Sequence, residues 1–126
     1  MDAMAKEFTQ AAKPCEAMLA VYDNRVPTPV PNNLKISHGR VVEYQKAAGI
    51  EKGFSHVDAG VYLLKRKHIF ARRQKFQLEE LWPPLIPENS LLTFNVSERF
   101  YDIGTPERLK EFEEKIRDYF PNTVSR

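Results

Sequence analysis

The sequence predicts an α/β fold, a mixed sheet flanked by helices, and three segments carry that prediction. Ala17-Met18-Leu19-Ala20-Val21-Tyr22 is a continuous apolar run closed by Asp23-Asn24, which has the length and punctuation of a buried strand. His56 to Leu64 gives the strongest strand signal in the chain. Near the other end, Leu109, Phe112, Ile116 and Tyr119 or Phe120 recur at helical spacing and form one apolar face. Strands interleaved with helices in this way belong to the α/β class.

The remaining elements follow from local chemistry. Residues 2–12 read as a helix with Met4, Phe8 and Ala11 or Ala12 on one side, stopped by Pro14. Residues 26–33 hold Pro27, Pro29 and Pro31, which remove donors and fix φ, so the segment is a loop. Leu34-Lys35-Ile36 and Arg40 to Tyr44 flank Ser37-His38-Gly39, a hairpin whose glycine supplies the positive φ of the turn. Residues 47–54 form a loop around two glycines, and residues 65–75 are basic with a short helix. Gln77 to Leu85 is a second helix, cut by Pro83-Pro84. Leu91 to Val96 is another strand and Arg99 to Ile103 a short one. Thr105 is a good N-cap for the last helix, Pro106 occupies the first helical position, and Glu107 sits at the positive end of the dipole.

The 126 residues are the size of one domain, 1–126. Hydrophobic residues make up 42% and charged residues 29%, as in a globular protein and unlike a disordered one. A formal net charge of +2 is too small to imply a nucleic-acid or membrane partner. The single cysteine, Cys15, allows no intrachain disulfide, and a cytoplasmic protein is the simplest expectation. No apolar run reaches the roughly 18 residues that a membrane span needs. The first residues, acidic early and without an apolar centre, are not those of a signal peptide.

Asp102 is the leading candidate for chemistry. Tyr101-Asp102-Ile103-Gly104-Thr105-Pro106 sets a carboxylate at a strand end beside a glycine and a helix N-terminus. Ligands bind at strand ends in open α/β sheets. A carboxylate there can hold Mg²⁺, while the helix terminus favours phosphate. The competing role for Asp102 is to cap the helix. The basic run Lys65, Arg66, Lys67, His68, Arg72, Arg73 and Lys75 could meet nucleic acid, but it has little interleaved aromatic character and reads better as a solvated face. His38, His56 and His68 lack metal-ligand spacing. Cys15 reads as a buried small side chain, and Trp82 with its prolines as packing.

Arg99-Phe100-Tyr101-Asp102-Ile103-Gly104-Thr105-Pro106-Glu107-Arg108-Leu109 resembles the closing motif of bacterial sugar-1-phosphate nucleotidyltransferases, such as glucose-1-phosphate thymidylyltransferases and the mannose- and heptose-1-phosphate enzymes. Val57-Asp58-Ala59-Gly60-Val61-Tyr62 resembles the family strand whose glycine lies beside the sugar. Leu78-Glu79-Glu80-Leu81-Trp82-Pro83-Pro84-Leu85-Ile86 resembles the helix after it. Asn33-Leu34 through Val41-Val42-Glu43-Tyr44-Gln45-Lys46 resembles the hairpin ending in a phosphate-binding lysine. The likeness spans most of residues 2–118, and the order and spacing of the motifs give it its specificity.

The resemblance implies a partial Rossmann-like nucleotidyltransferase fold and a site that takes a sugar 1-phosphate or a nucleotide sugar. In such enzymes the sugar phosphate attacks the α-phosphorus of a nucleoside triphosphate in line, and Mg²⁺ held by two aspartates neutralises charge. It assigns Asp102 as the second metal aspartate, Lys46 as a contact to the sugar phosphate, Gly60 as the point where sugar approaches backbone, and Glu79 as an orienting group. Gln45 stands where many relatives have glutamate, so it would bind hydroxyls without charge. The family's opening glycine-rich nucleotide loop and first metal aspartate have no counterpart in these residues, and Asp2 falls slightly too late to be that aspartate. The expectation is therefore a nucleotidyltransferase-like fragment that is inactive alone and forms a homodimer or pairs with a separate nucleotide-binding half; the alternative is a non-catalytic sugar-phosphate-binding or protein-interaction module.

Overall fold

Six consecutive apolar side chains leave β1 (Ala17–Tyr22) nowhere to sit but inside, and every residue of it is buried. In the computed structural model, which describes residues 2–28, 30–46, 53–71, 74–98 and 103–119, the sheet assembles around this strand. The chain adds α1 (Asp2–Gln10), β2 (Leu34–Ser37), β3 (Arg40–Tyr44), β4 (Val57–Leu64), α2 (Lys67–Phe70), a 3₁₀ turn (Leu78–Leu81), α3 (Trp82–Leu85), β5 (Leu91–Asn95) and α4 (Pro106–Tyr119). The five strands lie in the order β2-β3-β5-β1-β4. β1 runs parallel to β5 and antiparallel to β4, so the sheet is mixed, as expected.

Alternate side chains of β1 build two cores. Ala17, Leu19 and Val21 pack with Leu81, Trp82 and Leu85 of the 3₁₀ turn and α3. Met18 and Ala20 pack with Met4 of α1, Cys15 and Leu92. Helices thus flank both faces of the sheet. Cys15 is buried there, and burial pushes its thiol pKa up, consistent with a packing role.

The β2–β3 hairpin turns at His38 and Gly39, with φ of 52° and 75°. Both central residues are left-handed, as a tight two-residue turn requires, so His38 shares the conformation expected of the glycine alone. β3 meets β5 at Arg40 and Leu92. There the Arg40 guanidinium donates to the carbonyls of Pro14, Ala12 (2.9 Å) and Asn89 (2.6 Å). One charged side chain in this way ties two loops to the hairpin.

One expectation needs correction. Gln77 to Leu85 is not one helix cut by prolines. It is a 3₁₀ turn capped reciprocally by Gln77 and Glu80, followed by α3, and Pro83 and Pro84 lie in the first turn of α3, where an amide has no intrahelical acceptor to lose. The last helix stands where expected, and its apolar face is only partly covered: Leu109 and Tyr119 are exposed, and Phe112 and Ile116 are half-buried. Thr105 does cap α4, its Oγ1 accepting from Arg108 N at 3.2 Å. The short strand expected over 99–103 falls almost wholly outside the described residues. Among the described residues no helix is long and apolar enough to cross a membrane.

Trp82 is the largest fully buried side chain. Trp82→Ala should cost about 3–5 kcal/mol in urea denaturation. Val26→Ala, on an exposed side chain, should stay within about 0.5 kcal/mol of the parent.

Candidate functional site

The site grows from an irregularity in β4. Leu19 pairs with Tyr62 but Val21 pairs with Asp58, so β4 carries two residues more than β1 across this stretch. A slip of two preserves side-chain parity. Asp58 and Tyr62 therefore both face the side of the sheet that carries Trp82, and the Tyr62 and Trp82 rings lie 5.2 Å apart. Gly60, in the middle of the bulge, has φ of 80°. A side chain there would meet nothing within 4 Å, so the backbone angle and not crowding calls for glycine, and the backbone stays open to approach.

Asp58 fixes the bulge. Its Oδ1 accepts from Gly60 N at 2.8 Å and its Oδ2 from the Tyr62 hydroxyl at 2.7 Å. Asn33 then brings the hairpin alongside: its Oδ1 accepts from Asp58 N at 3.0 Å and its carbonyl from Gln45 N at 3.0 Å. Asn33 N and Leu34 N both donate to the His56 carbonyl, so the start of β2 bridges the residue before β4. The proline loop behind Asn33 is held by Asn24, at φ of 60°, which donates to Asn32 Oδ1 at 2.8 Å. Asn32, itself buried, donates to the Phe54 carbonyl.

This scaffold gathers four of the residues singled out from sequence. Gln45 and Lys46 leave β3 beside Asn33, and Gly60 sits in the bulge. Glu79 reaches from the 3₁₀ turn to Lys46, with Oε1 3.5 Å from Nζ. That ion pair is long and the lysine side chain is 81% exposed, so the pair is weak and the ammonium remains available. Asp102 lies outside the described residues. Sequence reasoning missed Asp58, Tyr44, Tyr62 and Asn33 as site residues. An Asp two positions before a Gly is a usable signal for a side chain capping a turn, but the facing of Tyr44 depends on the hairpin register.

Burial raises the Asp58 pKa, hydrogen bonds from Gly60 and Tyr62 oppose the rise, and the Glu79 charge adds to it. Burial raises the Tyr44 and Tyr62 pKa values, and Asp58 and Glu79 raise both further. Both phenols therefore stay protonated as donors and acceptors. Two phenols, two carboxylates, a side-chain amide and one ammonium can bind a polyhydroxylated ligand with a single anionic group. Among the described residues no three His, Cys, Asp or Glu side chains gather to hold a metal. Mg²⁺ therefore enters only through the resemblance that points to Asp102.

Three residues of the basic run, Lys65, Lys67 and His68, gather at Glu16. Glu16, at the start of β1, pairs with Lys65 at 2.7 Å and Lys67 at 2.5 Å, and His68 Nε2 lies 3.5 Å away. This clasp holds α2 to β1. Hydrogen bonds from Lys65 and Lys67 hold the Glu16 carboxyl at about 2.

No protein-family model matches the chain, and no curated protein is significantly similar to it.

Gly60→Ala should lower stability by roughly 1–2 kcal/mol through backbone strain alone, measured by denaturation. Glu16 titrates lower folded, at about 2, than its ordinary 4.5, so its contribution is full above that ordinary value and is lost as pH falls toward 2. Glu16→Gln should flatten the stability–pH curve in that window.

Proposed function

We propose that these residues bind a sugar 1-phosphate, as the sugar-phosphate-holding half of a nucleotidyltransferase-like fold. One observation carries the reading. Gln45, Lys46, Gly60 and Glu79, far apart in sequence and assigned to the sugar phosphate by resemblance, converge around the Asp58–Tyr62 pair. Lys46 supplies a mobile point charge for the phosphate. The open backbone at Gly60 admits the ring, and Tyr44, Gln45, Asp58 and Glu79 offer donors and acceptors for its hydroxyls. The parallel β1–β5 pair and helices on both sheet faces agree with a Rossmann-like arrangement.

The 126 residues include no Gly-x-Gly phosphate loop. Nucleotidyl transfer would therefore need a nucleotide site supplied by residues other than these. Within this reading Asp102 would hold Mg²⁺, which neutralises phosphate charge when bound.

Calorimetric titration with glucose 1-phosphate, other hexose 1-phosphates and nucleotide sugars, with and without Mg²⁺, tests the reading. Binding should raise thermal stability, by about 2.7 kcal/mol at a hundredfold excess over Kd. Lys46→Ala should weaken it at least tenfold, about 1.4 kcal/mol. No response to any of these ligands would remove the reading and leave a protein-interaction module.

A further inference from the structure

The charge around the ring position is unbalanced, and this narrows the ligand. Asp58 is half-buried, and its two partners, the Gly60 N–H and the Tyr62 O–H, are both uncharged. Among the described residues it forms no ion pair. Glu79 stands close enough to raise its pKa. Lys46, 3.5 Å from Glu79, is the cation paired in this cluster, and in the proposed reading the phosphate engages it. With Lys46 on the phosphate, two carboxylates are left beside the ring with no counter-charge among the described residues. A ring carboxylate placed there would meet like charge across a partly desolvated surface, whereas hydroxyls would donate to Asp58 and an ammonium would balance it.

Resting on the function proposed above, we infer that this subsite takes sugar 1-phosphates with a neutral or amine-bearing ring and excludes those with a ring carboxylate, and that Asp58 sets the discrimination. The exclusion is built from repulsion, one of the two ways a site separates related ligands. Asp58 can do this because the bulge fixes it. Both of its oxygens are held by groups within four residues, so it cannot swing away from an unwelcome anion.

The test is calorimetric titration of the full chain with glucose 1-phosphate, glucosamine 1-phosphate and glucuronic acid 1-phosphate. The first two should bind, and the uronate should bind at least about tenfold more weakly. Asp58→Asn keeps an oxygen to accept from Gly60 and should narrow the gap. If that variant does not fold, Glu79→Gln, on the 3₁₀ turn, should narrow it instead. Equal affinity of the parent chain for all three sugars overturns the inference and leaves the sugar-phosphate reading standing. A gap unchanged in the folded variant overturns the assignment to carboxylate charge. No binding of any of the three overturns both.

Discussion

The burial of β1 on both faces constrains everything else in this fold. A strand with no solvated side must be covered by two layers, and its backbone must find partners on both edges. β5 and β4 supply the edges, α1 covers one face, and the 3₁₀ turn with α3 covers the other. The start of the strand is where polar chemistry secures the arrangement. Glu16 binds α2 there, and Arg40 satisfies the carbonyls of the adjoining loops. Both are charged side chains used on a few nearby backbone or ionic partners, the situation in which charge-assisted hydrogen bonds are strong.

The candidate site follows from how β4 meets that strand. An edge strand that matched β1 residue for residue would present a plain row of backbone donors and acceptors. The two extra residues around Gly60 interrupt the row, while Asp58 and Tyr62 keep the face of the sheet that carries Trp82. Asp58 therefore has two tasks. It holds the bulge through Gly60 and Tyr62, and it presents a carboxylate in a half-buried place, where the charged form is disfavoured. Keeping an under-compensated charge in a half-buried place costs stability, and perturbed carboxylates of this kind cluster at functional sites.

What the sequence made legible was local. The apolar run of β1, the proline loop, the hairpin and the Thr105-Pro106 start of α4 each depend on residues within a few positions of one another, and each stands where expected. What was misread, or not said, depends on longer-range facts. Pro83 and Pro84 break a helix only if one is already under way, and Gln77 and Glu80 had instead closed a separate turn. The periodicity of α4 reported an apolar stripe without saying how deeply it would be covered. Among site residues, Gln45, Lys46, Gly60 and Glu79 were visible through resemblance. Asp58, Tyr44 and Asn33 were not, because their roles depend on contacts across the sheet, above all on the one asparagine that accepts from both Asp58 N and Gln45 N.

The site also divides into a stiff part and a mobile part, and the division bears on how a sugar phosphate would be read. Asp58, Tyr62 and Gly60 are fixed to one another, and Asn33 fixes Gln45 to them through the backbone. Lys46 extends into solvent on a flexible stem. Fixed groups lose little entropy on binding and penalise a misplaced ligand atom, whereas an exposed lysine attracts charge over a range of positions. In the proposed function the ring would thus be recognised by the preorganised edge of β4 and the phosphate only gathered by Lys46. Selectivity among sugars would then be set at Asp58, and phosphate binding would tolerate displacement. That division suits a site whose phosphate must remain free to reach groups supplied by residues beyond these.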